Sequence, residues 1–257
     1  MNTPKRGESS AHTPEIPSPR VYEAAAVISR LMFKRLGGFE YSGIRALETP
    51  GPKLVISPHR SNLDPPAIGL AAYEGAGLRL RSLAKKEHMS KPIIGSVFRK
   101  LGAISIDRDI DFDRQNQPGA YEELDGVVEN ESLLMSFPES HRYPADGDII
   151  DPKKVHRQAG LALAATFDFQ IVFAGVSGTN KHQRGDGWPV HVHFAAGPKI
   201  EKILRPNDPT EEEMRAYLKQ LLVQTRTLKK PFVEGMQAAQ LQAVTAAGRP
   251  VLLPKKA

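Results

Sequence analysis

Hydrophobic residues fall along the chain in two alternating patterns. Short runs of consecutive apolar residues are typical of buried strands, and stretches with apolar residues three and four positions apart are typical of helices. The strand-like runs are KLVIS at 53–57, LRSLAK at 80–85, AISIDR at 103–108, SLLMSFPE at 132–139, IVFAGVSG at 171–178 and VHVHFAAGPKI at 190–200. The helix-like stretches are 65–73, 91–102, 117–129, 155–167 and 210–229.

This alternation of strands and helices predicts an α/β fold. We expect a single domain over residues 38–230, with a central, mostly mixed β-sheet that is flanked by helices on both faces. The last helix begins at Thr210, which three glutamates follow in a pattern similar to a capping box. In sheets of this kind, functional sites gather where strand ends lead into loops.

The two ends of the chain differ from this pattern. Residues 1–19 are polar and rich in proline, which predicts disorder, and residues 231–257 are expected to form a C-terminal tail. Residues 20–37 predict an amphipathic helix that stops at a pair of glycines. Its apolar stripe consists of Val21, Ala24, Ala25, Ile28, Leu31 and Met32. This helix either lies in a membrane interface or packs on the core of its own domain.

Charge and composition narrow the classes of partner. The 257-residue chain carries a net charge of +6, which favours phosphorylated substrates or acidic lipid headgroups. No basic, aromatic-rich RNA-binding motif occurs, so we expect no nucleic acid partner. The chain has no cysteine, which excludes disulfides, thiolate metal sites and cysteine nucleophiles. The first residues lack the basic-then-apolar pattern of a signal peptide, and no run approaches the roughly 18 apolar residues of a membrane span. We therefore expect no signal peptide, and any membrane contact is expected to be peripheral.

In the stretch SPHRSNLDPP, a histidine and an aspartate stand five residues apart, directly after a predicted strand. Residues five apart do not meet on a continuous helix, but Pro58, Asn62 and the prolines after Asp64 predict a turn. Within such a turn Asp64 would orient the imidazole of His59, which could act as a general base on a hydroxyl group. The alternative is that Asp64 only caps the next helix, with Pro65 as its first residue.

Charged residues also follow two further strands. Arg108 comes at the end of GAISIDRD, and its planar guanidinium suits a phosphate. Glu139 and Arg142 lie in FPESHR, where a glutamate could bind a hydroxyl and an arginine a phosphate. Taken singly, GAISIDRD is better explained as a surface ion pair and FPESHR as a polar loop.

In their order and spacing, four blocks of this sequence resemble a known family. PHRSNLDPP, then AKKEHMSKPIIGSVFRKLGAISIDRD, then FPESHR, then IVFAGVSGTNK are similar to the glycerolipid acyltransferases of the 1-acyl-glycerol-3-phosphate acyltransferase (PlsC-like) family. The resemblance covers about residues 38–200. His59 and Asp64 match the family's H-x4-D block, and Gly102 to Arg108 match its second block.

The resemblance implies transfer of a fatty acyl group from acyl-CoA or acyl carrier protein to a hydroxyl of a lysophospholipid or glycerol phosphate. The expected acceptor is 1-acyl-glycerol-3-phosphate, in phospholipid biosynthesis. His59 and Asp64 would be catalytic, and Arg108, Glu139, Arg142 and Lys86 would bind the substrate, Lys85 assisting. No cofactor or metal is implied. The expected location is cytoplasmic, on the inner face of the cell membrane, with anionic lipids as partners.

The third and fourth blocks depart from the family pattern, which leaves the acceptor open. Ser140 and His141 replace the Gly-[Ser/Thr] of the family's F-P-E-G-[ST]-R, and Phe173 replaces a proline of the fourth block. Another lysolipid or a lipid-linked alcohol as acceptor, a non-catalytic lipid-binding protein and a thioester hydrolase stay as alternatives. His191 and His193 alternate on a predicted strand as metal ligands could, but no third ligand accompanies them.

Overall fold

The computed structural model describes residues 17–107, 117–139, 141–143, 147–155, 159–180, 183, 187–198, 200–204, 206 and 209–253. The strands are β1 (Phe39–Ser42), β2 (Lys53–Ile56), β3 (Leu80–Lys85), β4 (Ile104–Ile106), β5 (Leu133–Ser136), β6 (Gln170–Ser177) and β7 (Val190–Ala196). The helices are α1 (Pro19–Arg35), α2 (Arg45–Glu48), α3 (Asp64–Ala76), α4 (Lys86–Met89), α5 (Pro92–Lys100), α6 (Pro118–Glu129), α7 (Ala159–Phe167) and α8 (Glu211–Ala246). The region predicted to be disordered lies almost wholly outside the described residues.

The strands form one sheet in the order β1-β7-β6-β2-β5-β3-β4. Every neighbouring pair is parallel except β6 and β7, so the mixed sheet predicted from the sequence is confirmed. The central strands β2 and β5 are buried along their whole length. This burial explains their continuous apolar runs, because a parallel strand covered on both faces has no solvent side.

Helices cover both faces of the sheet, as predicted. On one face, buried residues of α6, α7 and α8 form a core with Leu54 and Ile56 of β2. On the other face, α3 and Phe33 of α1 pack with Val55 of β2 and the apolar residues of β7. Alternate residues of β2 therefore belong to opposite cores, as the two-residue period of a strand requires.

The topology brings several loops to one edge of the sheet. Strands β2, β3, β4, β5 and β6 all run in the same direction, so their carboxyl ends open at the same edge. Shortly after the ends of these strands come His59, Lys86, Asp107, Glu139 and Thr179, respectively. This is the edge where sheets of this class place their ligands.

Helix α1 has both an inward and an outward apolar face. Tyr22 and Phe33 are buried, and the Tyr22 hydroxyl accepts a hydrogen bond from the backbone N–H of Leu80 at 2.9 Å. Burial raises the pKa of Tyr22 to about 12. Ile28 and Leu31 of the predicted stripe instead face solvent. Thus α1 packs on its own domain and still presents an apolar surface outward.

Within the described residues, which end at 253, the predicted boundary at residue 230 and the tail predicted after it are wrong. Helix α8 runs through Pro231 to Ala246, with Phe232 and Met236 buried against the sheet. It lies so close to β6 that a Cβ atom at Gly175 would fall 2.0 Å from the carbonyl oxygen of Ala239. The sequence signal was misleading because a proline preceded by two lysines resembles a helix end.

The segment after α8 is also fixed to the domain. The carboxylate of Asp148 accepts hydrogen bonds from the backbone N–H of Leu252 at 2.8 Å and from the Gln240 amide at 3.0 Å. Arg249, which is buried, donates to the carbonyl of Trp188 at 2.7 Å. Residues 231–253 therefore belong to the same domain as the sheet. Over the part of the chain that the structure describes, no helix is both long and apolar enough to cross a bilayer.

Candidate active site

The loop after β2 brings His59 and Asp64 together. The Nδ1 atom of His59 lies 3.1 Å from Oδ2 of Asp64. The same oxygen accepts the backbone N–H groups of Arg60 and Ser61, each at 2.7 Å. These bonds close the turn that the prolines and Asn62 predicted, so the two side chains meet although they are five residues apart.

The helix-cap alternative for Asp64 is wrong. Asp64 is the first residue of α3 and Leu63 occupies the cap position, where no side chain hydrogen-bonds to the helix. The carboxylate turns back toward the preceding loop because the N–H groups of Arg60 and Ser61 are available there. The exposed fraction of the Asp64 side chain is only 1%.

The His59 ring is held on two sides. Its face stacks on Phe137, with ring centroids 4.1 Å apart and planes at 20°. With Nδ1 directed at Asp64, the carboxylate favours the tautomer that carries its proton on Nδ1. The Nε2 atom is then the nitrogen that can take a proton, and the side chain keeps 17% of its surface exposed. The arrangement has the geometry of an oriented general base.

Glu139 lies beneath His59 and is buried. One of its carboxylate oxygens accepts the backbone N–H of His59 at 2.7 Å, and both accept from Nη1 of Arg60, at 2.8 and 2.9 Å. Its exposed fraction is 1%. This geometry gives Glu139 a role in positioning His59, and the predicted contact with a substrate hydroxyl stays a prediction.

Arg60 is a site residue that the sequence analysis missed. It is buried, and besides Glu139 it donates through Nε to the carbonyl of Gly147 at 2.9 Å. It thereby joins the loop after β2 to the loops after β5. The available signal was an arginine between the histidine and the aspartate, but its partner stands 79 residues away.

Two of the three cations predicted to bind the substrate lie within the described residues, and both are exposed. Arg142 is exposed, and the backbone N–H of its neighbour Tyr143 donates to the carbonyl of His59 at 2.9 Å. Lys86 is exposed as well, and its Nζ lies 3.2 Å from Oδ2 of Asp107. Arg108 lies outside the described residues. The substrate roles of these three cations remain predictions.

Thr179 is a second residue that the sequence analysis missed. It follows β6 and is buried, and its hydroxyl donates to Oδ1 of Asp64 at 2.5 Å. The carboxylate is therefore held at both oxygens. Thr179 lies in the SGTNK block that carries part of the family resemblance, but no local pattern pointed to Asp64 as its partner.

The two histidines that the sequence analysis considered as metal ligands share one partner side chain. On β7, Nε2 of His191 and Nδ1 of His193 both lie 2.9 Å from the Ser42 hydroxyl. Within the described residues, no three His, Cys, Asp or Glu side chains are grouped as a metal site would need. Burial lowers the pKa of both histidines, and Glu40 partly opposes this effect at His191.

An imidazole oriented by a buried carboxylate at the open edge of an α/β sheet defines a class of enzyme that activates a hydroxyl group. The family model for acyltransferases matches residues 38–169, more than half of the 257-residue chain. The chain therefore belongs to the acyltransferase family, and the resemblance that its motifs predicted is confirmed.

Comparison with known proteins gives two further findings. A crystal structure of the 1-acyl-sn-glycerophosphate (LPA) acyltransferase PlsC from Thermotoga maritima is similar, with 18% sequence identity and a TM-score of 0.49. The match covers 81% of this chain and 78% of that chain. No curated protein matches the chain.

Proposed function

We propose that the protein transfers a fatty acyl group from an acyl thioester to a hydroxyl of a glycerol-based lysophospholipid. The acceptor that we expect is 1-acyl-glycerol-3-phosphate. The description of the T. maritima protein names 1-acyl-sn-glycerophosphate. The observation that carries the proposal is the 3.1 Å contact between His59 Nδ1 and Asp64 Oδ2, which orients an imidazole that is still partly exposed.

The reaction follows from this arrangement. Nε2 of His59 takes the proton of the acceptor hydroxyl while the hydroxyl oxygen attacks the thioester carbonyl. A C–O bond forms, and the C–S bond breaks as the intermediate collapses. The imidazolium returns its proton to the departing thiolate, and Asp64 stabilises the positive ring between these two steps. Because the chain has no cysteine, an acyl-cysteine intermediate cannot form, and the acyl group passes directly to the acceptor in this scheme.

Cations near the same sheet edge support an acceptor with a phosphate group. Arg142 is exposed in a loop whose backbone is hydrogen-bonded to His59, and Lys86 begins α4 directly after β3. Guanidinium and ammonium groups bind phosphate through charge-assisted hydrogen bonds. In our proposal these two residues, with Arg108, hold the acceptor's phosphate.

A panel of acceptors tests this proposal. The purified protein is incubated with labelled acyl-CoA or acyl carrier protein and with 1-acyl-glycerol-3-phosphate, other lysophospholipids, glycerol 3-phosphate or no acceptor. We expect ester formation that is fastest with 1-acyl-glycerol-3-phosphate. Fastest transfer to another acceptor would reassign the substrate, and release of free fatty acid without any acceptor would identify a thioester hydrolase instead.

We also propose that the protein binds an anionic membrane surface, from the cytoplasmic side, through α1 and α5. The outward residues of α1 are Val27, Ile28 and Leu31, with exposed fractions of 59%, 66% and 59%, and those of α5 are Ile93, Ile94 and Val97, with 81%, 45% and 45%. The two helices contact each other. We call these six residues the α1–α5 apolar surface.

Charge at its borders supports a lipid bilayer as its occupant. Lys34 and Arg35 end α1, and exposed Lys91 and Lys100 flank the outward residues of α5. Apolar side chains bordered by basic ones are typical of helices that lie in the interface of an anionic membrane. A water-insoluble acceptor would then reach the enzyme without leaving the bilayer.

Vesicle flotation tests the surface. Ile93→Ser/Val97→Ser should reduce binding to vesicles that contain phosphatidylglycerol, and added salt should weaken the binding of the unmodified protein. Leu218→Ser/Leu222→Ser is the matched control, because it removes two exposed leucines from α8. Unchanged flotation of the α5 variant would contradict the proposal, and a change in its oligomeric mass alone would assign the surface to a second copy of the chain.

A further inference from the structure

The buried carboxylate of Asp64 has its two oxygens engaged by different parts of the chain. Oδ2 receives the N–H groups of the loop and the His59 ring. Oδ1 receives the hydroxyl of Thr179 at 2.5 Å. Both side chains are about 1% exposed. This distance lies at the short end of the range for charge-assisted hydrogen bonds between a hydroxyl and a carboxylate.

The fold brings Thr179 to Asp64 by a fixed route. Strand β6 pairs in parallel with β2, so the loops that follow them emerge side by side. Between β6 and Thr179, Gly178 adopts a φ of +89°, and a Cβ atom there would lie 2.9 Å from the guanidinium of Arg249. The N–H of Gly178 also donates to the side-chain oxygen of Gln183 at 2.9 Å. The turn that carries Thr179 is therefore tightly specified.

We propose that Thr179 is a positioning residue for acyl transfer, acting through Asp64 on His59. The carboxylate could otherwise rotate about its Cβ–Cγ bond, which would move Oδ2 out of line with Nδ1 of the imidazole. The threonine hydroxyl prevents this rotation because it bonds the oxygen that faces away from His59. The inference rests on the proposed function, since it requires His59 to be the base.

This role predicts an effect on turnover rather than on substrate binding. Thr179 donates to the carboxylate of Asp64, so its loss misaligns the base and leaves the cations near the site in place. A misplacement of a catalytic group by about 1 Å can cost as much as ~10²-fold in rate. Thr179→Val should therefore lower kcat by up to about 10²-fold with little change in KM, and Thr179→Ser should restore most of it.

The experiment measures kcat and KM with acyl-CoA and the best acceptor for Thr179→Val, Thr179→Ser and His59→Ala, and also for Thr179→Val/His59→Ala. Thr225→Val is the matched control, because Thr225 is also buried and bonds only locally, to the carbonyl of Leu222 at 3.1 Å. It should keep the wild-type kcat. In the His59→Ala background, Thr179→Val should cause no further loss, since there is no ring left to align.

The outcomes separate the two proposals. Full activity of His59→Ala would overturn the function, whereas an inactive His59→Ala with wild-type kcat for Thr179→Val would overturn only the role of Thr179. Equal losses for Val and Ser would overturn it too, because the hydroxyl that Ser retains would then give no advantage, and so would a change confined to KM. If Thr179→Val does not fold, Thr179→Ala takes its place in the same comparisons.

Discussion

The sheet carries histidines in two contrasting settings. His59 follows the central strand β2, is 17% exposed and is bonded to the buried carboxylate of Asp64. His191 and His193 lie on β7, next to the edge strand β1, and share the hydroxyl of Ser42. The ring of His59 has a buried ionic partner and an open side. The other two rings are linked to each other through a neutral hydroxyl, and the carboxylate near His191 is an exposed one.

This difference decides which histidine can act as a base. A carboxylate stabilises the imidazolium that forms when a ring accepts a proton, and Asp64 supplies it to His59. Burial lowers the pKa of His191 and of His193, which keeps both rings neutral at neutral pH. Glu40 approaches His191 Nδ1 only to 3.6 Å and is 59% exposed. Residue type alone would not have distinguished the two settings.

The largest expected effect is loss of turnover in His59→Ala. A general base contributes about 10²- to 10⁴-fold, so kcat for acyl transfer should fall by that factor. The variant should fold, because the carboxylate of Asp64 retains the N–H groups of Arg60 and Ser61 and the hydroxyl of Thr179.

His191→Gln is the matched control for that measurement. It should keep most of the activity, since Nε2 of this ring lies 2.9 Å from the Ser42 hydroxyl, whereas the carboxylate of Asp64 is bonded to His59. Equal losses of turnover in both variants, measured on folded protein, would remove the distinction between the two settings.

The second-largest expected effect is a loss of stability when the buried ion pair between Arg60 and Glu139, next to His59, is broken. Glu139→Ala should destabilise the protein by about 3–5 kcal/mol, because it leaves the guanidinium of Arg60 buried without its carboxylate. The exposed pair Glu211–Arg215 is the control, and Glu211→Ala should change the midpoint of urea unfolding very little. Similar midpoints for the two variants would show that the pair beneath His59 is not a buried one in solution.

The parts of this site that sequence could predict are those with local signals. The turn around His59 was predictable because prolines and Asn62 lie within a few residues of it, and the strands were predictable from their apolar runs. Arg60 and Thr179 were not, because their partners are 79 and 115 positions away and only the parallel strand order brings them together. The extension of α8 past Pro231 was hidden for a related reason, since burial of Phe232 and Met236 against β6 stabilises it.

A smaller effect should follow from Ser42→Ala. The substitution removes the hydroxyl that both rings share and leaves partly buried ring nitrogens without their partner. An unsatisfied buried polar group costs about 1–3 kcal/mol, so the free energy of unfolding should decrease by that amount while kcat is unchanged. Loss of acyl transfer in a stable Ser42→Ala variant would contradict the separation between the two settings.

The smallest effect is a pH dependence of stability that comes from His191 and His193. Burial lowers their pKa values in the folded protein below the ordinary 6.5, so the unfolded chain binds protons first as the pH falls. Their contribution to stability is therefore complete above about pH 6.5 and is lost as the pH falls through that value toward their folded pKa values.

Urea unfolding of the wild type and of His191→Gln/His193→Gln, from about pH 8 to about pH 5, measures this contribution. The carboxylates are common to both proteins, so the wild type should lose more stability over this interval than the double variant. His88→Gln, which removes an exposed histidine from α4, is the control for the loss of a histidine as such. Parallel curves for the wild type and the double variant would mean that the β7 rings accept protons in the folded protein as readily as in the unfolded chain, which would contradict the lowered pKa values of these two rings.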